Sequence, residues 1–191
     1  MDETAELMLR CRKGDTRAFE LLYLKHEGLV FRNAMLMTND REQAEDVLQD
    51  VFIAVWNARR SFNPKKAKFT TWLHKITMNR CIDNHRREQL LQPYSDEETI
   101  DLPGANSDLP EEALINKLEY ERLMRAVSQL DDKHRPALIL RYFNNLSYRD
   151  IADVLNIPLG TVKSRIHNTL CLLREQMSPI ALESNNTEDG R

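Results

Sequence analysis

Glycine is scarce in this sequence, with 5 in 191 residues, under half the usual share of about 7%. Such a chain has little material for loops that wrap backbone amides around phosphates. Neither G-x-G-x-x-G nor G-x-x-x-x-G-K occurs, which excludes the common nucleotide-binding fingerprints. Cysteine is nearly as rare: Cys11, Cys81 and Cys171 are odd in number and far apart. That excludes a C-x-x-C zinc or redox pair and points to a reducing, cytoplasmic setting. No apolar run approaches the roughly 18 residues that span a bilayer, so no stable membrane insertion of its own is expected. The start, MDETAEL, is acidic and lacks the basic and apolar regions of a secretory signal. His26, His74, His85, His134 and His167 are scattered, with no H-E-x-x-H or H-x-H spacing. No metal site, no cofactor and no catalytic set is expected, and the chain does not read as an enzyme.

What is present is charge, unevenly placed. The formal net charge is -3, yet residues 1–90 carry 16 Lys/Arg against 13 Asp/Glu and residues 113–177 carry 10 against 7. Between them, 91–112 holds 7 acids, no base and three prolines. One-sided charge with few apolar groups marks 91–112 as a flexible acidic linker and 178–191, SPIALESNNTEDGR, as a disordered tail. The flanks read as helices. Val47, Leu48, Val51, Phe52, Val55 and Trp56 form an apolar stripe within 43–58, entered through Asn39–Asp40 with Gln43 three residues on. A second helix begins at Asp15 and carries Phe19, Leu22 and Tyr23, and helix formers continue from about Leu29 to Met37. Pro110 followed by Glu111 and Glu112 opens another. Period-2 alternation is absent. The expected fold is all-α: two small helical domains, 1–90 and 113–177, joined by the linker.

Between Arg59 and Arg87 nine bases meet one acid, Asp83, with Phe62, Phe69 and Trp72 interleaved. On a helix from about Lys68, the side chains of Lys68, Lys75, Asn79 and Arg86 fall within about 20° of one line, with Trp72 about 40° away. Phe69 and Ile76 turn toward a buried face. Cations beside aromatic rings suit single-stranded nucleic acid, through phosphate neutralisation and base stacking. A solvated face usually mixes signs; the aromatics alone would equally serve a core. The preceding SFNPKKAKF contains Pro64 and reads as a loop.

Residues 146–173, LSYRDIADVLNIPLGTVKSRIHNTLCLL, carry the sharpest pattern. Ser147 and Asp150 form an S-x-x-D capping box, with Leu146 and Ile151 placed as a hydrophobic staple. Ile151, Ala152 and Leu155 face inward on a short helix that Asn156 ends in a left-handed cap before Ile157–Pro158. The next helix opens near Leu159–Thr161, packs through Val162, Ile166, Leu170 and Leu173, and presents Thr161, Lys163, Ser164, Arg165, His167 and Asn168. This is a helix-turn-helix whose second helix suits a major groove. A stand-alone helix-turn-helix regulator fits this half but leaves 59–87 unexplained; a nucleic-acid-processing enzyme requires a metal-dependent turnover.

These segments together resemble the bacterial sigma factors of the extracytoplasmic-function group, over nearly the whole chain outside linker and tail. AEDVLQDVFIAVW at 44–56 is similar to the helix that grips the polymerase clamp. FTTWLHKITMNRCIDNHRR at 69–87 is similar to the helix that reads and opens the −10 promoter element. LRYFNNLSYRDIADVLNIPLGTVKSRIH at 140–167 is similar to the module that binds the −35 element. The resemblance implies an alternative sigma factor with core RNA polymerase and promoter DNA as partners, and an anti-sigma factor as its inhibitor. It implies that Asp46, Gln49, Asp50, Phe52 and Ile53 meet the polymerase. Asp46 and Asp50 are like charges at i, i+4, a repulsion a basic partner would relieve. It implies that Lys68, Thr71, Trp72, Lys75, Asn79, Arg80 and Arg86 face the −10 element, with Phe62, Asn63, Lys65 and Lys66 of the loop near an extruded base. It implies that Thr161, Lys163, Ser164, Arg165, His167 and Asn168 face the −35 element. Where relatives continue after KSRIH with strong basic character, this chain reads NTLCLL, with no base until Arg174. Fewer phosphate contacts give a shallower salt dependence. Two promoter elements about two helical turns apart lie roughly 70 Å from each other, and a 22-residue linker reaches about 73 Å when fully extended.

Overall fold

The structure, a computed structural model, describes residues 3–91 and 111–178. Among these, all regular structure is helical. Helix α1 spans Glu3–Arg12, α2 Thr16–Thr38, α3 Arg41–Ala58 and α4 Phe69–Leu91. After the linker come α5, Glu111–Ser128, and α6, Arg135–Leu138, which passes directly into a π-helical turn, Ile139–Phe143. Helices α7, Tyr148–Leu155, and α8, Leu159–Met177, complete the chain. The linker and tail expected at 91–112 and 178–191 lie, apart from their ends, outside the described residues.

Local chemistry sets the first three boundaries. Asp15 caps α2, its carboxylate accepting from the Ala18 amide at 3.0 Å. That bond and the Arg10 guanidinium hold the Asp15 carboxyl below its ordinary range. Asn39 closes α2 in the left-handed region (φ 57), where the short amide side chain is tolerated, and Asp40 opens α3 by accepting from the Gln43 amide at 2.9 Å. With only two residues between them, α2 and α3 pack antiparallel. The stretch read as two pieces, from Asp15 and from Leu29, is one helix of 23 residues running through Gly28. Helix α1, not expected from the sequence, covers this pair with Leu7, Met8 and Cys11. Leu22, Val30 and Ala34 of α2, Val47, Val51 and Val55 of α3, and Leu73 and Met78 of α4 form the centre.

In the second lobe, Ser147 caps α7 as expected, accepting from the Asp150 amide at 3.2 Å, and Asn156 ends it at φ 52. Ile151 and Val154 are the buried pair of α7, while Ala152 and Leu155 are half-buried. The inward face is therefore turned toward Val154, a position the expected trio omitted. Helix α8 buries Val162, Ile166, Thr169 and Leu173.

The two lobes pack on each other. Helix α7 lies along α4, and Ile151, Val154, Val162 and Ile166 belong to the same apolar cluster as Leu73 and Met78. Polar contacts also cross the junction, among them Asn33–Asn144, Arg135–Met37, His85–Asp132 and Lys75–Asp153. Asn33 of α2, fully buried, donates through Nδ2 to His74 Nδ1 at 3.2 Å and accepts through Oδ1 from Asn144 Nδ2 at 2.7 Å. Arg135 donates to the Met37 carbonyl at 2.5 Å, and to the carbonyls of Leu130 and Ser128 in its own lobe. His85 Nδ1 lies 2.7 Å from Asp132 Oδ1.

His74 carries a pH consequence. Burial first, then the charges of Arg32 and His26, push its pKa down from 6.5 to about 4, so it sits neutral with Nδ1 accepting. An unfolded chain takes up a proton near pH 6.5 that the folded chain refuses until about pH 4. Its contribution to stability is present above pH 6.5 and is lost as pH falls through that window, by about 3 kcal/mol in all. Urea unfolding at pH 7.5, 6.0 and 4.5 is expected to show this slope, reduced in His74→Gln; an unchanged slope in that variant assigns the loss to other groups.

Candidate nucleic-acid and partner interfaces

The basic face is built on α4 and the loop before it. Trp72, half-buried, packs its ring 5.3 Å from Phe62 and 5.8 Å from Phe69, and Phe62 and Phe69 meet edge-on at 5.7 Å. Phe62 is only 2% exposed. It was expected beside an extruded base, but its ring forms the floor under Trp72 and is closed to stacking. Asn63 organises the loop instead: its side chain accepts from the Lys65 amide at 3.0 Å and its carbonyl from the Lys66 amide at 3.0 Å. Asn63, Lys65, Lys66, Lys68, Asn79, Arg80 and Arg86 are exposed, and Thr71 is half-buried. Lys75 departs from the expected open stripe. It is half-buried and its Nζ donates to the Asp153 carbonyl of α7 at 3.3 Å. Lys66, Thr71, Trp72 and Lys75 thus form one wall of a crevice of about 570 Å³ whose other wall is Ala152–Asp153 and Asn156–Pro158.

The second basic face is on α8. Lys163, Ser164, His167 and Asn168 are exposed and Thr161 and Arg165 half-buried, opposite the seam of Val162, Ile166 and Leu173. The Ser164 hydroxyl donates to the Thr161 carbonyl at 3.0 Å, leaving its lone pairs free to accept. His167 Nε2 lies 3.9 Å from Cys171 Sγ. Beside Lys163 and Leu159 a shallow cleft is lined by Arg141, Ser147, Tyr148 and Arg149. The Arg141 guanidinium lies over the Tyr148 ring at 5.2 Å and donates to the Leu146 carbonyl. Arg149 is exposed. The sequence reading missed these bases; the capping box would have found them, since residues just inside α7's N-terminus must share that end of the motif with the start of α8.

A third surface is apolar. Phe19 and Tyr23 of α2 and Gln49, Phe52, Ile53 and Trp56 of α3 line an open groove of about 470 Å³. Its aromatic wall is held by ring contacts, Phe19 edge-on to Trp56 at 5.0 Å and Tyr23 tilted against Phe52 at 4.6 Å, with the Arg59 guanidinium 4.1 Å over Trp56. Phe52 is buried and shows the groove only an edge, whereas Ile53 is 59% exposed. Asp46, Gln49 and Asp50 stand exposed on the same helix, and neither acid forms an ion pair among the described residues. Phe19, Tyr23 and Trp56 were not expected here. Their i, i+4 spacing within each helix was visible, but the pairing of the two helices was not.

Burial pushes the Cys81 thiol up to about 12 and raises that of Cys11, and no three metal-ligating side chains cluster among the described residues. No described helix is long and apolar enough to cross a membrane.

Comparison with known proteins gives these surfaces their class. The family model described as Sigma-70 region 2 matches residues 22–90, and that described as Sigma-70, region 4 matches residues 120–170: the two halves of a promoter-specificity subunit. The RNA polymerase sigma-H factor of Pseudomonas aeruginosa is 32% identical over 191 residues, covering 96% of this chain and 98% of its own. The ECF RNA polymerase sigma factor SigW of Bacillus subtilis is 32% identical over 185 residues, covering 90% and 98%. RpoE of Cereibacter sphaeroides is 35% identical over 166 residues, covering 86% and 88%. The chain belongs to the sigma-70 family, in its extracytoplasmic-function (ECF) group. It is an alternative sigma factor that directs promoter-specific transcription, and its relatives are regulators of transcription rather than enzymes. The fold is shared with CnrH, solved in complex with the cytosolic domain of CnrY (TM-score 0.67, 23% identity, 97% of this chain and 100% of that one). It is shared too with RpoE of Bartonella quintana, solved with the anti-sigma factor NepR (TM-score 0.65, 22% identity, 83% and 96%).

Proposed function

We propose that the three surfaces divide the work of promoter opening. The apolar groove, with Ile53 at its lip and Asp46, Gln49 and Asp50 beside it, docks on a core polymerase segment that is apolar with a basic flank. The exposed bases of α4 and its loop neutralise phosphates of the −10 strand, and Trp72 offers the stacking surface that Phe62 supports from beneath. Lys163, Ser164, Arg165, His167 and Asn168 of α8 enter the major groove of the −35 element. Arg149 and the first amides of α8 take the flanking phosphates, because free N–H groups and the positive end of the helix dipole favour an anion there. Residues 1–90 and 113–177 act as the two domains, and 91–112 as the tether. An anti-sigma factor that covers these faces is the proposed inhibitor, and the cytoplasm, where polymerase and chromosome are, the proposed location.

The observation that carries this reading is the seam of α8. Four inward residues, Val162, Ile166, Thr169 and Leu173, fix the helix against its lobe and leave the polar side chains nowhere to face but outward. Run-off transcription with purified chain and core polymerase on a genomic library tests it, and promoter-dependent transcripts are expected. Arg165→Ala is expected to weaken −35-dependent initiation by about 10- to 100-fold, the loss of one good base contact. Initiation at no promoter would favour a stand-alone regulator, and an unchanged profile in Arg165→Ala would remove that residue from the reading face.

A further inference from the structure

We propose that His167 and Cys171, on the outer face of α8, form half of a zinc site that the same pair from a second copy of the chain completes. The site stands apart from the promoter assignment; only its effect on −35 reading rests on that assignment. The first observation is a chelating geometry. His167 Nε2 lies 3.9 Å from Cys171 Sγ, one helical turn on. Zinc sits about 2.0–2.1 Å from an imidazole nitrogen and about 2.3 Å from a thiolate sulfur, which at a tetrahedral angle places the two about 3.6 Å apart. The pair is within a small side-chain movement of that bite. Nitrogen with sulfur is the donor set zinc takes, whereas calcium and magnesium take oxygen.

The second observation is which thiol an ion from solvent can reach. Cys11 and Cys81 are 0% and 1% exposed, so neither offers itself. His167 is exposed and Cys171 half-buried. At about 100° per residue, Cys171 falls opposite the middle of the seam of Val162, Ile166, Thr169 and Leu173. Among the described residues no third ligating side chain joins the pair, so one copy supplies two corners of the tetrahedron and leaves two open.

The third is a pattern that DNA reading does not use. From 166 to 173 the chain reads IHNTLCLL, without Lys, Arg, Asp or Glu, where a helix serving phosphates would carry bases. A second α8 can approach this stretch without like-charge repulsion. Leu172, 40% exposed beside Cys171, gives that approach an apolar surface to cover.

A two-fold axis through the ion then presents the same pair twice. Each Cys171 thiol releases its proton to solvent and gives a sulfur lone pair. Each neutral His167 gives the lone pair of Nε2 and keeps its proton on Nδ1; nothing is oxidised or reduced. Two thiolates cancel the charge of the ion, so the centre is neutral. With the two α8 faces turned on each other, Ser164, His167 and Asn168 cannot enter a major groove. If nine chains in ten are held this way, the apparent affinity for the −35 element falls about tenfold.

The test titrates the full chain, reduced and freed of metal, with zinc chloride, and with cobalt(II) as a coloured stand-in. One ion for every two chains is expected, with thiolate-to-cobalt charge-transfer absorption, tetrahedral d–d bands and a doubled mass in sedimentation. A zinc-selective chelator is expected to reverse all of these. Cys171→Ser is expected to lose them at the same metal concentrations, with circular dichroism reporting its helices. In run-off transcription with core polymerase added after the zinc, wild type is expected to initiate about tenfold less than Cys171→Ser, a comparison that cancels any effect of zinc on polymerase itself. One ion per chain without dimerisation overturns the shared site. So does a dimer that persists in chelator, which is a disulfide between two Cys171 residues, and so does undiminished metal binding by Cys171→Ser. A zinc-linked dimer with unchanged initiation keeps the site and overturns its effect on −35 reading. Failure of both chains to initiate without zinc strikes at the promoter assignment, while the titration still decides the site.

Discussion

Ile53→Asp is expected to abolish core polymerase binding at working concentrations, raising the dissociation constant at least about 100-fold, or about 3 kcal/mol. The reasoning is desolvation. Ile53 is 59% exposed at the lip of a groove lined by Phe19, Tyr23, Phe52 and Trp56. A partner that fills the groove would bury the new carboxylate against rings that offer it no hydrogen bond. The substitution disturbs nothing in the free protein's core, so its melting temperature should barely change. Leu24→Asp is the matched control, since Leu24 is equally exposed, at 59%, on α2 but outside the groove. Fluorescence anisotropy against core polymerase reads both. Equal binding by the two variants would move the docking site elsewhere on the first lobe.

Arg135→Ala is expected to destabilise the fold by about 3 kcal/mol, lowering the melting temperature by roughly 6–12 °C for a chain of this size. One guanidinium serves the carbonyls of Ser128, Leu130 and Met37. It therefore fixes the turn between α5 and α6 and ties that turn to the last turn of α2. Burial pulls its pKa down while Asp132 and Asp131 push it back, and the charge is retained because arginine starts so high. Removal leaves three carbonyls without their donor. Arg135→Lys should recover only part of the loss, because a single ammonium cannot span the fork's three directions. Thermal unfolding followed by circular dichroism decides it, and a shift under about 1 kcal/mol would show that water replaces the guanidinium at no cost.

The parts legible in the sequence are those decided within a few residues. Asp40 with Gln43, Ser147 with Asp150, and Asn156 before Ile157–Pro158 each settle a helix end through a contact three or four residues away, and all three ends lie where the pattern put them. Helix α1 escaped notice because ETAELMLRCR is short, with a weak apolar stripe that acquires meaning only against α2. Phe62 was misplaced for a related reason: its loop position implied exposure, and only the arrival of Phe69 and Trp72 on α4 shows where its ring goes. The junction between the lobes was illegible altogether. Asn33, His74 and Asn144 are separated by 41 and 111 positions, and three unremarkable polar residues carry no periodic signature. The length and one-sided charge of 91–112 argued for separated lobes. They are silent on how the lobes meet when free.

The π-helical turn at Ile139–Phe143 has a genetic consequence. Its extra residue, marked by the Asn144 amide reaching the Ile139 carbonyl at 3.1 Å, sets the phase of everything downstream. Deleting one residue there would restore an ordinary α-helix, yet would rotate α7 and α8 by about 100° and draw them back about 1.5 Å. Asn144 would then miss Asn33, and Ile151 and Val154 would swing off α4. Length at this spot is therefore constrained more tightly than side-chain identity, so a single-codon deletion here should be purged where most point substitutions survive.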